Sequence, residues 1–456
     1  MHIVHVAAEF APIAKAGGLG EVIIGLTREL SRIGQQVDVI IPKYDFIPTL
    51  ELRNLQKELS FPLGTMWSAD IEGCHLHLLE TPNDYFTRGK IYGFNDDATR
   101  FVYFSRAVAE YLKIKNQSID VLHLHDWHTA PMAALLDLPT VLNIHNIEYQ
   151  GECALHDLTG IKDLAPFESL NLLHTGIQEA DALVAVSPTY AKEILTPEFG
   201  FGLDALLRKH KSKLTGILNG IDLKLWDPGT DFHLKANYNS TDSLEKIVAA
   251  KKANREGIPI KGDFWVGAIT RLVPQKGPEL IEAALEETIK AGGAFALIGT
   301  SPFHALQHHF ELLKFKYENH PQVFLHLEYD EKLAHQLYAA LDFLVVPSLY
   351  EPCGLTQMIA MHYGTIPIVR ATGGLKDTVF DCDDPNVPAS QRNGYVFTNQ
   401  FLETLHRAID LFRADNATHL SMVRRGMQAD FGWKKPAQEY LRLYHKLAPS
   451  DKMHTA

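Results

Sequence analysis

Cysteine is scarce: the 456-residue chain carries four, Cys74, Cys153, Cys353 and Cys382, and no Cys-x-x-Cys pair. That spacing excludes a disulfide framework and a cysteine-rich zinc module, and it fits a reducing compartment. No stretch approaches the roughly 18 consecutive apolar residues that a membrane-spanning helix needs. Positive charge is short as well, with 43 Lys+Arg against 55 Asp+Glu and a net charge of -12. Nucleic acid and anionic membranes recruit proteins through basic surfaces, so neither is an expected partner, although a local basic pocket can still hold an anion. The opening Met1-His-Ile-Val-His-Val lacks a basic segment followed by a long apolar one, so no signal peptide is expected and a cytoplasmic protein is.

What is present reads as a folded, multidomain chain. Hydrophobic residues make up 46% and charged residues 21%, ordinary for a globular protein with a real core. Ile3–Val6 is a strand-like apolar run. A Gly/Pro loop through Gly17 and Gly18 follows, then a helical pattern from Gly20 to Ile33 and a second buried strand at Val37–Ile41. Such a βαβ unit with continuous apolar strands points to a parallel sheet covered on both faces. Further strands fit Val121–Leu124, Thr140–Ile144 and Ala182–Val186. The second half starts the same way: strand Phe264–Ile269, loop Thr270–Gly277, helix Pro278–Lys290, then strands Phe295–Ile298, Phe343–Val346 and Ile366–Val369. The fold class is therefore α/β, as two doubly wound, Rossmann-like domains. Their junction falls in the turn-rich and polar stretch 222–262, which divides the chain into 1–225, 226–433 and a C-terminal helix and tail, 434–456. Whether that helix packs back on the first domain stays open.

Several loops carry residues suited to chemistry, each with a plain structural alternative. In Lys15-Ala-Gly17-Gly18-Leu-Gly-Glu, glycines precede a helix whose first N–H groups can bind phosphate; a tight βα turn reads equally well. Arg271-Leu-Val-Pro-Gln-Lys276-Gly occupies the matching loop of the second half, where two cations suit a departing diphosphate; surface Arg and Lys are also common. Tyr350-Glu351-Pro-Cys353-Gly354-Leu355-Thr356-Gln places an acid on a strand-to-helix loop, either to hold a sugar hydroxyl or to cap the helix. His123-Leu-His-Asp126-Trp-His128 has metal-like spacing, but its third histidine lies beyond the strand end, so no metal is expected there. His145, taken alone, reads as a structural histidine. Asn219-Gly suggests a type I′ turn, and Thr372-Gly-Gly-Leu-Lys-Asp a βα turn.

Taken together, these segments resemble the bacterial glycogen synthase and plant starch synthase family. The resemblance rests on Lys15-Ala-Gly-Gly-Leu, His125-Asp-Trp-His, His145-Asn146 with Tyr149-Gln-Gly, Val186-Ser-Pro-Thr-Tyr-Ala-Lys-Glu-Ile, Leu218-Asn-Gly-Ile-Asp, Arg271 with Gln275-Lys-Gly, Glu351-Pro-Cys-Gly-Leu-Thr-Gln, and Tyr363-Gly-Thr with Arg370-Ala-Thr-Gly-Gly-Leu-Lys-Asp. They stand in family order over nearly the whole chain. The resemblance implies the GT-B fold with a cleft between the two domains, hinge closure, and transfer of glucose from ADP-glucose to an α-1,4-glucan with retention of configuration. It implies no cofactor and no metal, because Arg271 and Lys276 neutralise the leaving diphosphate. It further implies that Tyr329 stacks on the base and that Glu351 holds glucose hydroxyls among Asn219, Cys353, Gly354, Leu355 and Thr356. Lys15, Gly17 and Gly18 then assist at the phosphates. The main-chain carbonyl of His145 steadies the developing oxocarbenium ion beside Asn146, and Asp126 lines the acceptor side. Two departures stand out: Glu21 replaces the usual Asp of the first loop, and Ile359 stands where many retaining GT-B enzymes have a second Glu, which bacterial-type glycogen synthases also lack. Two other readings remain: a GT-B enzyme using UDP-glucose or another sugar nucleotide, and an inactive glucan-binding protein. Oligomeric state is left open.

Overall fold

A computed structural model describes residues 1–153 and 171–448, arranged as two compact units. The first comprises Met1–Gly220 with Gly432–Ala456, the second Ile221–Phe431, and each is organised on its own sheet. The tail from 449 onward, part of the last predicted segment, lies outside the described residues.

The first unit contains β1 (His2–Val6), β2 (Gln36–Pro42), β3 (Arg53–Phe61), β4 (Gly64–Ile71), β5 (Cys74–Glu80), β6 (Val121–His125), β7 (Thr140–Ile144), β8 (Ala182–Ala185) and β9 (Leu214–Gly216). Their spatial order is β3-β4-β5-β2-β1-β6-β7-β8-β9, parallel from β5 to β9. The runs read as buried strands in the sequence are found here within a residue or two. The expected parallel sheet is present, and β3-β4-β5 add an antiparallel edge to it. β3 (Arg-Asn-Leu-Gln-Lys-Glu-Leu-Ser-Phe) is largely exposed, so it lacks the continuous apolar run that marks a buried parallel strand, and its charges protect a free edge. Glu72 and Gly73, at φ 52° and 81°, join β4 to β5 in the two-residue primed-turn form whose twist suits a hairpin.

The second unit contains β10 (Trp265–Ile269), β11 (Ala294–Ile298), β12 (Val323–His326), β13 (Phe343–Val346), β14 (Ile366–Arg370) and β15 (Tyr395–Phe397), all parallel in the order β12-β11-β10-β13-β14-β15.

The core of the first unit joins Ile3, Val121, Val141 and Val184 of the sheet to Val22, Leu26 and Leu30 of the helix Gly18–Arg32. Trp433, Ala437, Tyr440 and Tyr444 complete the same core, so the last helix, Lys434–Leu447, covers the sheet of the first unit. Burying side chains of this size contributes about 1.5–3 kcal/mol each. The Tyr440 and Tyr444 hydroxyls are also bonded inside the core, which offsets the penalty of burying them.

Chain order reverses beside β1, which lies between β2 and β6, and beside β10, which lies between β11 and β13. In open α/β sheets the crevice outside the carboxyl ends at such a reversal is where ligands bind. The loops after β1, β6, β10 and β13 carry most of the predicted site residues, while His145 and Asn146 follow β7, Asn219 follows β9 and Tyr329 follows β12.

Candidate active site

In the second unit the loops after β10 and β13 are stitched together. Gln275 Nε2 donates to the Tyr350 carbonyl at 3.0 Å, and the Leu349 N–H donates to the Gln275 carbonyl at 2.8 Å. The result is that Lys276 Nζ stands 2.5 Å from Glu351 Oε2, to which Ser348 Oγ also donates at 2.8 Å. Glu351 is buried and Lys276 half-buried, so each charge relies on the other for the solvation it has lost. Arg271 is exposed, and its guanidinium makes no hydrogen bond or ion pair among the described residues. One anion-ready cation therefore stands beside a second whose charge is shared with a carboxylate.

The loop after β14 closes against this segment. The Gly374 N–H donates to the Glu351 carbonyl at 3.1 Å. A Cβ on Gly373, which has φ +43°, would stand 1.9 Å from that carbonyl oxygen, and one on Gly374 would stand 2.0 Å from the Cys353 oxygen. Thr372-Gly-Gly is thus more than a βα turn: any side chain there would push Glu351 and Cys353 out of place. Cys353 is buried, Gly354 takes φ +71°, and Leu355 caps the helix that starts at Thr356. Tyr329 is 72% exposed and its hydroxyl donates to Glu331 at 2.7 Å.

In the first unit, Lys15 Nζ pairs with Glu21 Oε1 at 2.5 Å. The Gly17 N–H, predicted to face a phosphate, donates instead to Glu9 Oε2 at 3.0 Å, alongside the Ala16 N–H at 2.8 Å. Glu9 is buried and also accepts from Tyr92 Oη at 2.8 Å. Gly18, in the first turn of the helix, is exposed. Asn219 is buried with an unbonded Oδ1. Neither it nor Gly220 has the positive φ of a type I′ turn, so that expectation fails. Glycine is needed there for close approach instead, since a Cβ on Gly220 would lie 2.8 Å from the Gly432 carbon.

The histidines form a buried network. His5 Nδ1 lies 3.1 Å from His125 Nε2, and His125 Nδ1 lies 3.0 Å from His145 Nε2. His123 Nε2 faces Asn143 Oδ1 at 3.0 Å, so it donates, and Nδ1 accepts from Tyr444 Oη at 2.7 Å. Asn143 Nδ2 donates in turn to Tyr440 Oη at 2.6 Å. Burial disfavours the charged form throughout. It takes His123 down to about 4 and His128 and His145 to about 3, with His5 and His125 well below the usual value. Asp126 moves the other way, up to about 7, again chiefly through burial. Its Oδ1 accepts from the His145 N–H at 2.7 Å and the Asn146 N–H at 3.3 Å. Asp126 also holds φ +55°, a conformation that costs a non-glycine residue energy and persists only where surrounding bonds enforce it.

The structure therefore joins Lys276 with Glu351, and Asp126 with His145 and Asn146, while Arg271 and Tyr329 stand exposed. Sequence reasoning missed Glu9, Ser348 and the His5–His125–His145 file. An acid inside the apolar run Val6-Ala-Ala-Glu9-Phe-Ala was the available signal for the first; the others depend on register and loop approach.

The starch synthase catalytic domain matches residues 2–209, and the glycosyl transferases group 1 model matches residues 250–429. A glycogen synthase of Protochlamydia amoebophila is 40% identical over 98% of this chain and 99% of its own. The chain belongs to the starch and glycogen synthase family. A probable starch synthase 4 of Arabidopsis thaliana is also 40% identical, over 97% of this chain and 47% of that longer protein. The catalytic domain of starch synthase IV from Arabidopsis thaliana, solved with ADP and acarbose, superposes with a TM-score of 0.90 at 38% identity, covering 98% of this chain and 99% of the other. As a member of this family the chain is a hexosyltransferase of the GT-B class. Among the described residues no helix is long and apolar enough to cross a membrane.

Proposed function

We propose that this starch and glycogen synthase family member is a cytoplasmic glycogen synthase. It transfers glucose from ADP-glucose to the non-reducing end of an α-1,4-glucan, with retention and without a metal. The observation that carries the reading is the Lys276–Glu351–Ser348 cluster with Arg271 at the carboxyl ends of β10 and β13. A diphosphate gains charge as the glycosidic bond to it breaks, and two cations turned to it on binding stabilise that charge. Binding phosphate draws Lys276 toward the leaving group and frees Glu351 for the glucose hydroxyls. Asn219, Cys353, Gly354, Leu355 and Thr356 surround the sugar, Tyr329 stacks on the adenine, and Lys15 with Gly18 assists at the phosphates.

The anomeric carbon becomes positive in the same step. A cation beside it would raise the barrier, and His145 is neutral at any working pH, since burial takes it down to about 3. Its main-chain carbonyl then meets the developing charge, held in place by the Asp126 bond to its N–H. Asp126 faces the acceptor glucan.

The test measures ADP and UDP release from each glucose donor with glycogen as acceptor. Glycogen-dependent ADP release is expected, and Lys276→Ala should reduce it by about 10²-fold or more. Faster turnover of UDP-glucose would replace the donor in this proposal. No turnover of either donor would replace the substrate class.

A further inference from the structure

One face of the first unit's sheet, away from the residues given roles above, gathers three histidines and three carboxylates. Register does this: β2 sets Asp38 opposite His75 of β5 and Ile40 opposite His77, while β4 sets Asp70 opposite His75. Residues two apart on a strand share a face, so Asp38, Asp70, His75 and His77 point the same way. His2 of β1 pairs with Gln36, two residues before Asp38, and joins them.

Each candidate ligand is already oriented by a partner. His75 Nδ1 lies 2.9 Å from Asp70 Oδ1, and His77 Nδ1 lies 3.0 Å from Glu58 Oε2. Asp38 Oδ2 lies 2.7 Å from His2 Nε2, whose Nδ1 is 2.9 Å from the Ser118 carbonyl. Lys115 pairs with Glu58 at 2.5 Å, Tyr111 Oη lies 3.4 Å from His77 Nδ1, and Asn54 donates to Asp70 at 2.7 Å. The inner atoms then face one another. His77 Nε2 is 3.7 Å from Asp38 Oδ1, and one donor atom each from Asp38, His75 and His77 lie within 4.8 Å of one another.

Metal-bound histidines characteristically give their second ring nitrogen to a carboxylate or carbonyl, which fixes the tautomer and the ring direction. Both histidines here have that arrangement, and Asp38 has its outer oxygen held as well. His75 Nε2 is left for the metal; His77 Nε2 faces Asp38, and although burial opposes it, bonding to Asp38 and Glu58 raises His77 to about 9, so zinc displaces a proton there. In a tetrahedral zinc site with bonds of about 2.0–2.2 Å, ligand atoms stand about 3.4 Å apart, near the 3.7 Å between His77 and Asp38. We propose that Asp38, His75 and His77 bind one zinc ion, with water from the His75 side as fourth ligand, and that the ion pins β2 to β5 where the antiparallel edge joins the parallel sheet. The donor set of two imidazoles and one carboxylate suits zinc above magnesium or calcium, which take oxygen ligands.

Two other clusters do not compete. His123 has both nitrogens bonded, to Tyr444 and Asn143, and His125 has both engaged by His5 and His145. Around Cys382, the Arg407 guanidinium already bridges Asp381 and Asp383 at 2.7 Å and 2.6 Å.

The test titrates the full chain, stripped by chelator, with zinc chloride in a calorimeter, and repeats the titration with cobalt to read tetrahedral absorption. One zinc per chain, a raised Tm, and loss of at least about 10²-fold in affinity in His75→Ala are expected. His75 is 44% exposed in its side chain, so that variant folds. Asp70→Asn, which touches only the outer partner, should weaken binding about 10–100-fold. Glucan synthesis by His75→Ala should be unchanged. Absence of binding at micromolar zinc, or equal binding by wild type and His75→Ala, would overturn the proposal.

Discussion

The two units set their functional residues at the same topological position, the carboxyl ends of strands where chain order reverses, and surround them with opposite electrostatics. At β10 and β13 the residues are charged: Arg271 is exposed, and half-buried Lys276 meets buried Glu351 at 2.5 Å. After β6 and β7 burial removes charge. His125 and His145 are kept uncharged, and Asp126 is raised to about 7. The difference follows the charges of the proposed reaction. A leaving diphosphate needs fixed cations, whereas a sugar carbon turning positive needs polar groups that carry no positive charge.

The strongest way to break this comparison is Lys276→Ala, expected to lower kcat by about 10²–10³-fold. Its Tm must be followed too, because Glu351 is left buried without its partner. A loss under tenfold would mean that the second unit's cations are not what the reaction uses. Glu351→Gln should cost about 10²-fold. The double variant should lose about as much as the worse single one, since residues acting as one unit are not additive; additive losses would separate the pair. On the first unit, Asp126→Asn keeps an acceptor for the His145 N–H, and a fall in kcat of about tenfold or more is expected, by analogy with general acid–base contributions. A pH–rate limb near 7 in the wild type should vanish with it.

The comparison also predicts stability responses to pH of one sign in two separate windows. His123, His128 and His145 have folded pKa values of about 4, 3 and 3, below 6.5. Between those values and 6.5 the unfolded chain binds more protons, so stability falls as pH drops below 6.5, by up to about 1.4 kcal/mol per pH unit per group. Asp126, raised from 3.8 to about 7, works against one of the three. His128→Phe, which fits the aromatic contacts of that ring with Tyr92 and Phe101, should flatten the acid limb in calorimetric melts. In the second unit, burial lowers Lys251 from 10.5 to about 7. The unfolded chain holds the extra proton above pH 7, so stability rises from there toward 10.5, and Lys251→Met should abolish that rise. The smallest effect is expected from Tyr440→Phe, which removes the hydroxyl that Asn143 donates to and should cost about 1 kcal/mol.

Much of the architecture was legible because buried parallel strands write long apolar runs. β13 was read to the residue, and so was the helix Pro278–Lys290, whose opening proline and closing glycines mark both ends. β3 was not legible: its charged, exposed residues show no apolar face, and only pairing with β4 makes it a strand. Among the site residues, Lys276 and Glu351 were identified separately. That they form one pair depended on the bond between Gln275 and Tyr350, contacts 75 residues apart in the chain. The Gly17 N–H looked available because a helix start exposes such groups, and Glu9 fills it from outside the glycine motif.

By itself the sequence determined the class of fold, the family and the chemical types assembled in each loop, because apolar periodicity and motif spacing are local properties of the chain. Tertiary structure decided which of those groups are charged. His145 loses its charge through burial, with His123 and His125 of β6 beside it. The last helix supplies Tyr440 and Tyr444 to the same network from about 300 residues away, at separations of 297 and 321 positions. Desolvation and hydrogen-bond partners are set by what packs around a group, and no local pattern in the chain records that.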